Sequence, residues 1–272
     1  MEHPGIAEKS VVLVHGLTDS PYFMTAIGEF FFNELGHNVY LPLLQCHGLR
    51  EPNGMEDVDL AEWKKNVAFA VETARAASQE VSIGGLSTGG TLGFHAAMTN
   101  PGVTGTLYLF SAALDLAGGL VGQLKERLAR FPGMADFLER FERNKDLIGQ
   151  NPYRYAGVDK DGARELAKLM KETDALTRKI TDTGNLLTRK VFAAHSECDD
   201  TASIRGIETI QKLTVPGRFT FFRLRKAEKV THASVVLRAP VLASDGRVLE
   251  KANPRFPQMM EAIARAARFA EK

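Results

Sequence analysis

Within VSIGGLSTGGTLGF, residues 81–94, the segment 84–90 sets one serine, Ser87, among four glycines: Gly84, Gly85, Gly89 and Gly90. A serine hydroxyl is a weak nucleophile near neutral pH and needs a base. Gly85-Leu86-Ser87-Thr88-Gly89 has the form G-x-S-x-G. In that pattern a strand turns sharply into a helix, the serine sits at positive φ, and its neighbours must be small because backbones come close. The hydroxyl is then raised above the sheet at a helix N-terminus, where the Thr88 N–H is unpaired and can donate to an anion. The blander reading is a glycine-rich turn without chemistry. Strand-like VSI before the pattern and an apolar helix after it favour the nucleophile.

The base should follow. Of seven histidines, two lie late in the chain, His195 and His232. His195 ends a strand-like run with no carboxylate well placed before it. His232, in KVTHASVVL, lies in a loop between the last strand and the closing helix, and is read as the general base. The order serine, acid, histidine suits a strand–turn–helix nucleophile. VFAAHSECDDTAS offers Glu197, Asp199 and Asp200 for the acid. Spacing from Ser196 favours Asp199, with Asp200 as the alternative or as cap of the next helix. The acid would hold the imidazole tautomer and stabilise the imidazolium. An oxyanion needs two donors. These are read as the N–H groups of Thr88 and of Leu17, the latter in HGLTDSP, where Gly16 lets the chain turn and His15 packs the loop. Leu17 and Leu86 are expected to bind substrate as part of an apolar acyl pocket.

The elements that must position these groups alternate. SVVLVH reads as a buried strand, and Pro21 to Leu35 as a helix stopped by Gly36. HNVYLPLL is a strand, Asp59 caps a helix running to about Ser78, EVSIGG is a strand, and a helix runs from Gly89 to Thr99. VTGTLYLFSA is a further strand. Residues 115–186 look helical and polar, with FPGMADFLERFERNK and GARELAKLMKETDALTRKI both at helical period. RKVFAAH, TASIRGIETIQKL, RFTFFRL and FPQMMEAIARAARFA then resume the alternation. The expectation is an α/β fold: a mostly parallel sheet flanked by helices, with 1–114 and 187–272 as core and 115–186 as a helical cap insertion. SDGRV reads as a hairpin turn decorating the surface.

Bulk properties narrow the function. The chain has 272 residues, 44% hydrophobic and 25% charged, with a formal net charge of +1. That balance supplies no basic field for nucleic acid or an anionic membrane surface. No apolar run approaches the roughly 18 residues of a membrane span, so no stable membrane insertion is expected. Cys46 and Cys198 form no metal pattern and read as free thiols of a reducing compartment; with no leader visible, the expected location is cytoplasmic. No histidine and carboxylate cluster has ligand spacing, so neither metal nor other cofactor is expected. The partner expected from these properties is a small molecule, and the oligomeric state is not legible.

VVLVHGLTDSP, LPLLQCHGL leading to DLAEW, IGGLSTGG, AAHSECDD and THASVVL, in this order, resemble the α/β-hydrolase superfamily and, within it, bacterial carboxylesterases and monoacylglycerol lipases. The resemblance spans nearly all the sheet-forming chain. It implies a Ser87–Asp199–His232 triad, an oxyanion loop after the first strand, a helical cap, and cleavage of esters of short to medium acyl chains, or of monoglycerides, through an acyl-enzyme. Thioesters or amides on the same triad, or a non-catalytic binding module, are the alternatives. Several features depart from the pattern, among them the following two. Cys46-His47-Gly48 stands where many relatives have Gly-His-Gly, and RAPVLASDGRVLEKANPRFP is longer than usual.

Overall fold

The computed structural model describes residues 1–48, 55–116, 151–155, 157 and 160–268. Period-two alternation builds its centre. In β1 (Ala7–Val14), Val12 and Val14 enter one apolar cluster while Val11 and Leu13 enter another on the opposite face. The same alternation recurs in β4 (Leu107–Phe110), where Leu107 and Leu109 face one way and Tyr108 and Phe110 the other. Strands apolar on both faces need helices on both faces.

Six strands pair in the order β2-β1-β3-β4-β5-β6, with every pairing parallel. The others are β2 (Asn38–Tyr40), β3 (Ser78–Leu86), β5 (Val191–Ser196) and β6 (Phe219–Leu224). α1 (Tyr22–Leu35) covers one face with Phe23, Met24, Ile27 and Phe31. α2 (Leu60–Ala77), α3 (Thr88–Thr99), α4 (Lys160–Thr183) and α5 (Ile204–Lys212) contribute to the cluster on the other. α6 (Phe256–Arg268) joins α1, with Met259, Met260 and Ile263 buried beside it. The chain thus forms a mostly parallel sheet between helical layers.

The element boundaries follow local chemistry. Asp59 caps α2 by accepting the Ala61 N–H at 2.6 Å. Gly36, at φ +69°, ends α1 in the left-handed conformation that glycine tolerates. β2 stops at Tyr40, short of the expected HNVYLPLL strand, and Pro42 brings no N–H to extend a ladder. Ser203, not Asp200, caps α5, accepting the Arg205 N–H. The SDGRV turn does close a hairpin of β7 (Val241–Leu242) and β8 (Val248–Glu250). It is more than decoration: Glu250 reaches a buried arginine. In the expected insertion, α4 packs on α2 and α3. FPGMADFLERFERNK lies outside the described residues. Among those described, no helix is long and apolar enough to cross a membrane.

Candidate functional site

Ser87 stands between β3 and α3 at φ +54° and ψ −120°, the positive-φ conformation expected of it. Its backbone is tied on both sides. The Ser87 N–H donates to Phe110 O at 3.0 Å, and its carbonyl accepts from Thr91 N and Ala113 N, each at 3.1 Å. The glycines are steric necessities. A side chain on Gly89 would run into the carbonyl oxygens of Val14 and His15, and one on Gly85 into Val14 O and the Gly89 backbone. The close packing of β1 against this turn therefore requires glycine at both positions.

Asp199 and His232 come together at the carboxyl ends of β5 and β6. His232 Nδ1 lies 2.8 Å from Asp199 Oδ2. The other oxygen, Oδ1, accepts the N–H groups of Thr201 and Ala202, both at 2.9 Å. Burial works against ionising Asp199, but the charge and hydrogen bond of His232, with His195 and the Ala202 N–H, hold its pKa below the ordinary carboxylate range. Burial likewise disfavours the His232 imidazolium, yet the Asp199 carboxylate outweighs it and leaves the pKa raised. An ionised Asp199 only accepts, so His232 Nδ1 carries the proton and, in the neutral ring, Nε2 presents its lone pair. Asp200 is exposed and accepts from Thr201 Oγ1 instead.

Two residues of this cluster carry little signal in the sequence. Ser196 Oγ donates to Val230 O at 2.6 Å and accepts the Cys198 N–H at 3.0 Å, pinning the acid loop to the histidine loop. His195 is fully buried, with Nε2 3.1 Å from Ala202 O and 3.5 Å from Asp199 Oδ2. A carbonyl only accepts, so Nε2 carries the proton and also faces the acid. Burial keeps this ring's pKa low.

The loop after β1 is held from several directions. Leu44 N donates to His15 Nε2 at 3.2 Å, so His15 Nδ1 carries the proton for its 2.9 Å bond to Gly16 O. Burial, helped by nearby His47, pushes the His15 pKa down to about 3, keeping the ring neutral. His47 Nε2 lies 2.6 Å from Leu17 O. Cys46 adopts φ +59° and Gly48 φ +72°, so Cys46 takes the backbone shape a glycine would hold there. Among the described residues, no acceptor takes the Leu17 N–H. Thr88 opens α3, where an N–H has no intrahelical acceptor. Leu17 is buried beside Met55 and Gly162 of α4. Leu86 has no exposed surface and packs in the cluster with Leu13, Phe110 and Val235.

Beside these groups lies a buried ion cluster. Arg154 Nη2 is 2.6 Å from Asp19 Oδ1 and 3.2 Å from Thr18 Oγ1, and its Nη1 pairs with Glu250 Oε1. The guanidinium stacks over Phe23, 5.0 Å from the ring centroid.

Comparison with known proteins agrees with this architecture. The family model for the alpha/beta hydrolase family matches residues 11–266. A thermostable monoacylglycerol lipase of Bacillus sp. (strain H-257) is 28% identical over 173 residues, covering 62% of this chain and 65% of its own length. The chain thus matches just under two thirds of that relative. Among solved structures, the monoacylglycerol lipase of Paleococcus ferrophilus superposes with a TM-score of 0.61 at 16% identity, over 96% of this chain and 95% of that one. A soluble variant of monoglyceride lipase from Saccharomyces cerevisiae gives 0.66 at 11% identity, over 98% and 88%.

Proposed function

This chain belongs to the alpha/beta hydrolase family, and on that premise we propose that it is a serine hydrolase of carboxylic esters working through an acyl-enzyme. One observation carries the reading. A hydrogen-bonded Asp199–His232 pair stands at the strand ends of the sheet whose central turn holds Ser87 at positive φ. The named activity of the Bacillus relative, a monoacylglycerol lipase, is consistent with it.

In this mechanism His232 Nε2 takes the Ser87 Oγ proton as the oxygen attacks the ester carbonyl. Asp199 stabilises the imidazolium without accepting its proton. The carbonyl oxygen becomes an oxyanion held by the N–H groups of Leu17 and Thr88. The intermediate collapses as His232 protonates the leaving alcohol. Water then enters, gives a proton to His232 and attacks the acyl carbon, and the proton returns to Ser87. α4, whose Gly162 lies beside Leu17, belongs to the cap. Leu17, next to Met55 and α4, faces the acyl chain, and Leu86 backs the turn from the core. Short to medium acyl chains or monoglycerides fit an apolar wall of this kind.

A fluorophosphonate probe tests the reading. Labelling should fall on Ser87 and vanish in Ser87→Ala. Turnover of p-nitrophenyl esters from acetate to palmitate, with a monoglyceride, a thioester and an amide alongside, separates the reaction classes. Neither labelling nor turnover of any substrate would leave a binding module.

A further inference from the structure

Asp19 is an acid the mechanism above does not use. It is 3% exposed, and its Oδ1 is taken by Arg154 and approached by Thr18 Oγ1 at 3.4 Å. Among the described residues nothing donates to its Oδ2. That oxygen is not turned away from the chemistry. A side chain placed on Gly16 would meet Asp19 Oδ2 first and Ser87 Cβ at 3.4 Å, so the free oxygen and the serine border the same small space. The negative charge of Asp19 raises the His232 pKa, and the Arg154 charge lowers it.

The carboxylate is fixed in that place. The backbones of Asp19 and Arg154 pair as an antiparallel bridge, and Tyr155 N donates to Thr18 O at 2.8 Å. The Arg154 guanidinium holds Oδ1 and is itself held by Glu250 of β8. Three segments distant in sequence thus aim one unpaired oxygen. Oδ2 is not among the sealed side-chain atoms left without a partner, so it keeps an opening onto the site, where a ligand hydroxyl can donate to it in place of water. A leaving alcohol must lie next to His232, which protonates it, so the oxygen borders the alcohol half of an ester.

We propose that Asp19 determines alcohol specificity: its free Oδ2 accepts a hydrogen bond from a hydroxyl carried by the alcohol portion of the substrate and repels alcohols that carry a carboxylate. This rests on the hydrolase reading and adds to it a residue and a chemical class. Gly16 is part of the arrangement, since any side chain there would occupy the space the carboxylate and serine share.

The test is a ratio of kcat/KM values. 2-Hydroxyethyl butyrate and propyl butyrate differ by one hydroxyl in place of a methyl group. The wild-type chain should favour the hydroxyethyl ester, and Asp19→Ala should lower the hydroxyethyl-to-propyl ratio about tenfold, the size of a hydrogen bond to a charged acceptor. Asp19→Ala leaves Arg154 paired with Glu250, so no bare charge is stranded. Should it fail to fold, Asp19→Asn carries the test with the butyryl ester of glycolic acid. Its kcat/KM relative to propyl butyrate should rise about tenfold once the negative charge is gone. Equal loss on all esters, with both ratios within twofold of wild type, would make Asp19 structural and overturn the proposal alone. A wild-type chain that cleaves none of these esters, nor any p-nitrophenyl ester, would overturn the hydrolase reading with it.

Discussion

His232 Nδ1 lies 2.8 Å from Asp199 Oδ2, and each residue shifts the other's ionisation. Burial alone would make His232 a weaker base than an exposed histidine, but the carboxylate reverses the sign. Asp199, also buried, is held ionised by the same contact. In the proposed mechanism the pair supplies the negative charge that an imidazolium needs as Ser87 gives up its proton.

The sign of this shift sets a pH profile. A general base works when neutral, so kcat/KM should rise with pH through an apparent pKa above the ordinary 6.5 of histidine. Asp199→Asn removes the charge that raises it. The rising limb should move to lower pH while kcat falls about 10⁴-fold through loss of the tautomer. A limb that stays in place in Asp199→Asn would detach the profile from His232.

Asp200 supplies the control. It is exposed, one residue from the proposed acid, and accepts from Thr201 Oγ1. Asp200→Asn should keep kcat/KM within about twofold, since exposed substitutions away from special contacts have small effects. If Asp200→Asn abolished turnover while Asp199→Asn did not, Asp200 and not Asp199 would be the acid that serves His232.

Local periodicity made the fold legible. Strands with apolar residues on both faces, separated by helices, leave little choice but a parallel sheet between helical layers. The turn at Ser87 was legible because its glycines answer to one steric demand, the approach of Val14 and His15 carbonyls. What escaped depends on contacts that no spacing encodes. Asp19, Arg154 and Glu250 lie on three segments far apart in sequence, and nothing at any one of them announces the other two. His195 carries no signal in the sequence because no carboxylate precedes it, whereas the one it faces, Asp199, follows by four residues and is brought back by a turn. Cys46 stands where the family resemblance leads to an expectation of glycine, and it holds φ +59°, a backbone shape glycine adopts readily.

The glycine demand can be measured. Gly89→Ala would press a methyl group against the Val14 and His15 carbonyls, both backbone atoms of a central strand and its loop. Neither can move without disturbing the sheet. The expected cost is about 3 kcal/mol, read as a lower urea midpoint, with turnover lost as the turn shifts. A midpoint equal to wild type would show that β1 and α3 are further apart than described.

The ion cluster separates two kinds of loss. Arg154→Met strands the Asp19 and Glu250 carboxylates in a buried site and should cost about 3–5 kcal/mol at neutral pH. Burial, with Asp19 adding to it, raises the Glu250 pKa against the pull of Arg154. The folded state then binds the Glu250 proton more readily than the unfolded chain, so this group adds stability as pH falls through its raised pKa. Glu250→Gln should remove that pH dependence and leave one arginine paired with one aspartate. Its stability at neutral pH should lie far closer to wild type than that of Arg154→Met. Equal losses in both variants would assign the cluster's role to packing rather than charge.

Ser87 itself should trade stability against chemistry. Its φ of +54° and ψ of −120° place a non-glycine residue in a region that costs on the order of 1–3 kcal/mol. The Phe110, Thr91 and Ala113 backbone bonds hold it there, and they do not depend on its side chain. Ser87→Gly keeps those bonds and removes the steric penalty, at the expense of a more flexible unfolded chain worth roughly 0.5–1 kcal/mol. Ser87→Ala keeps the Cβ and therefore the strain. Thermal unfolding should place Ser87→Gly above Ser87→Ala, with both variants inactive and neither labelled by a fluorophosphonate. The reverse order would mean that the turn holds no strain for glycine to release.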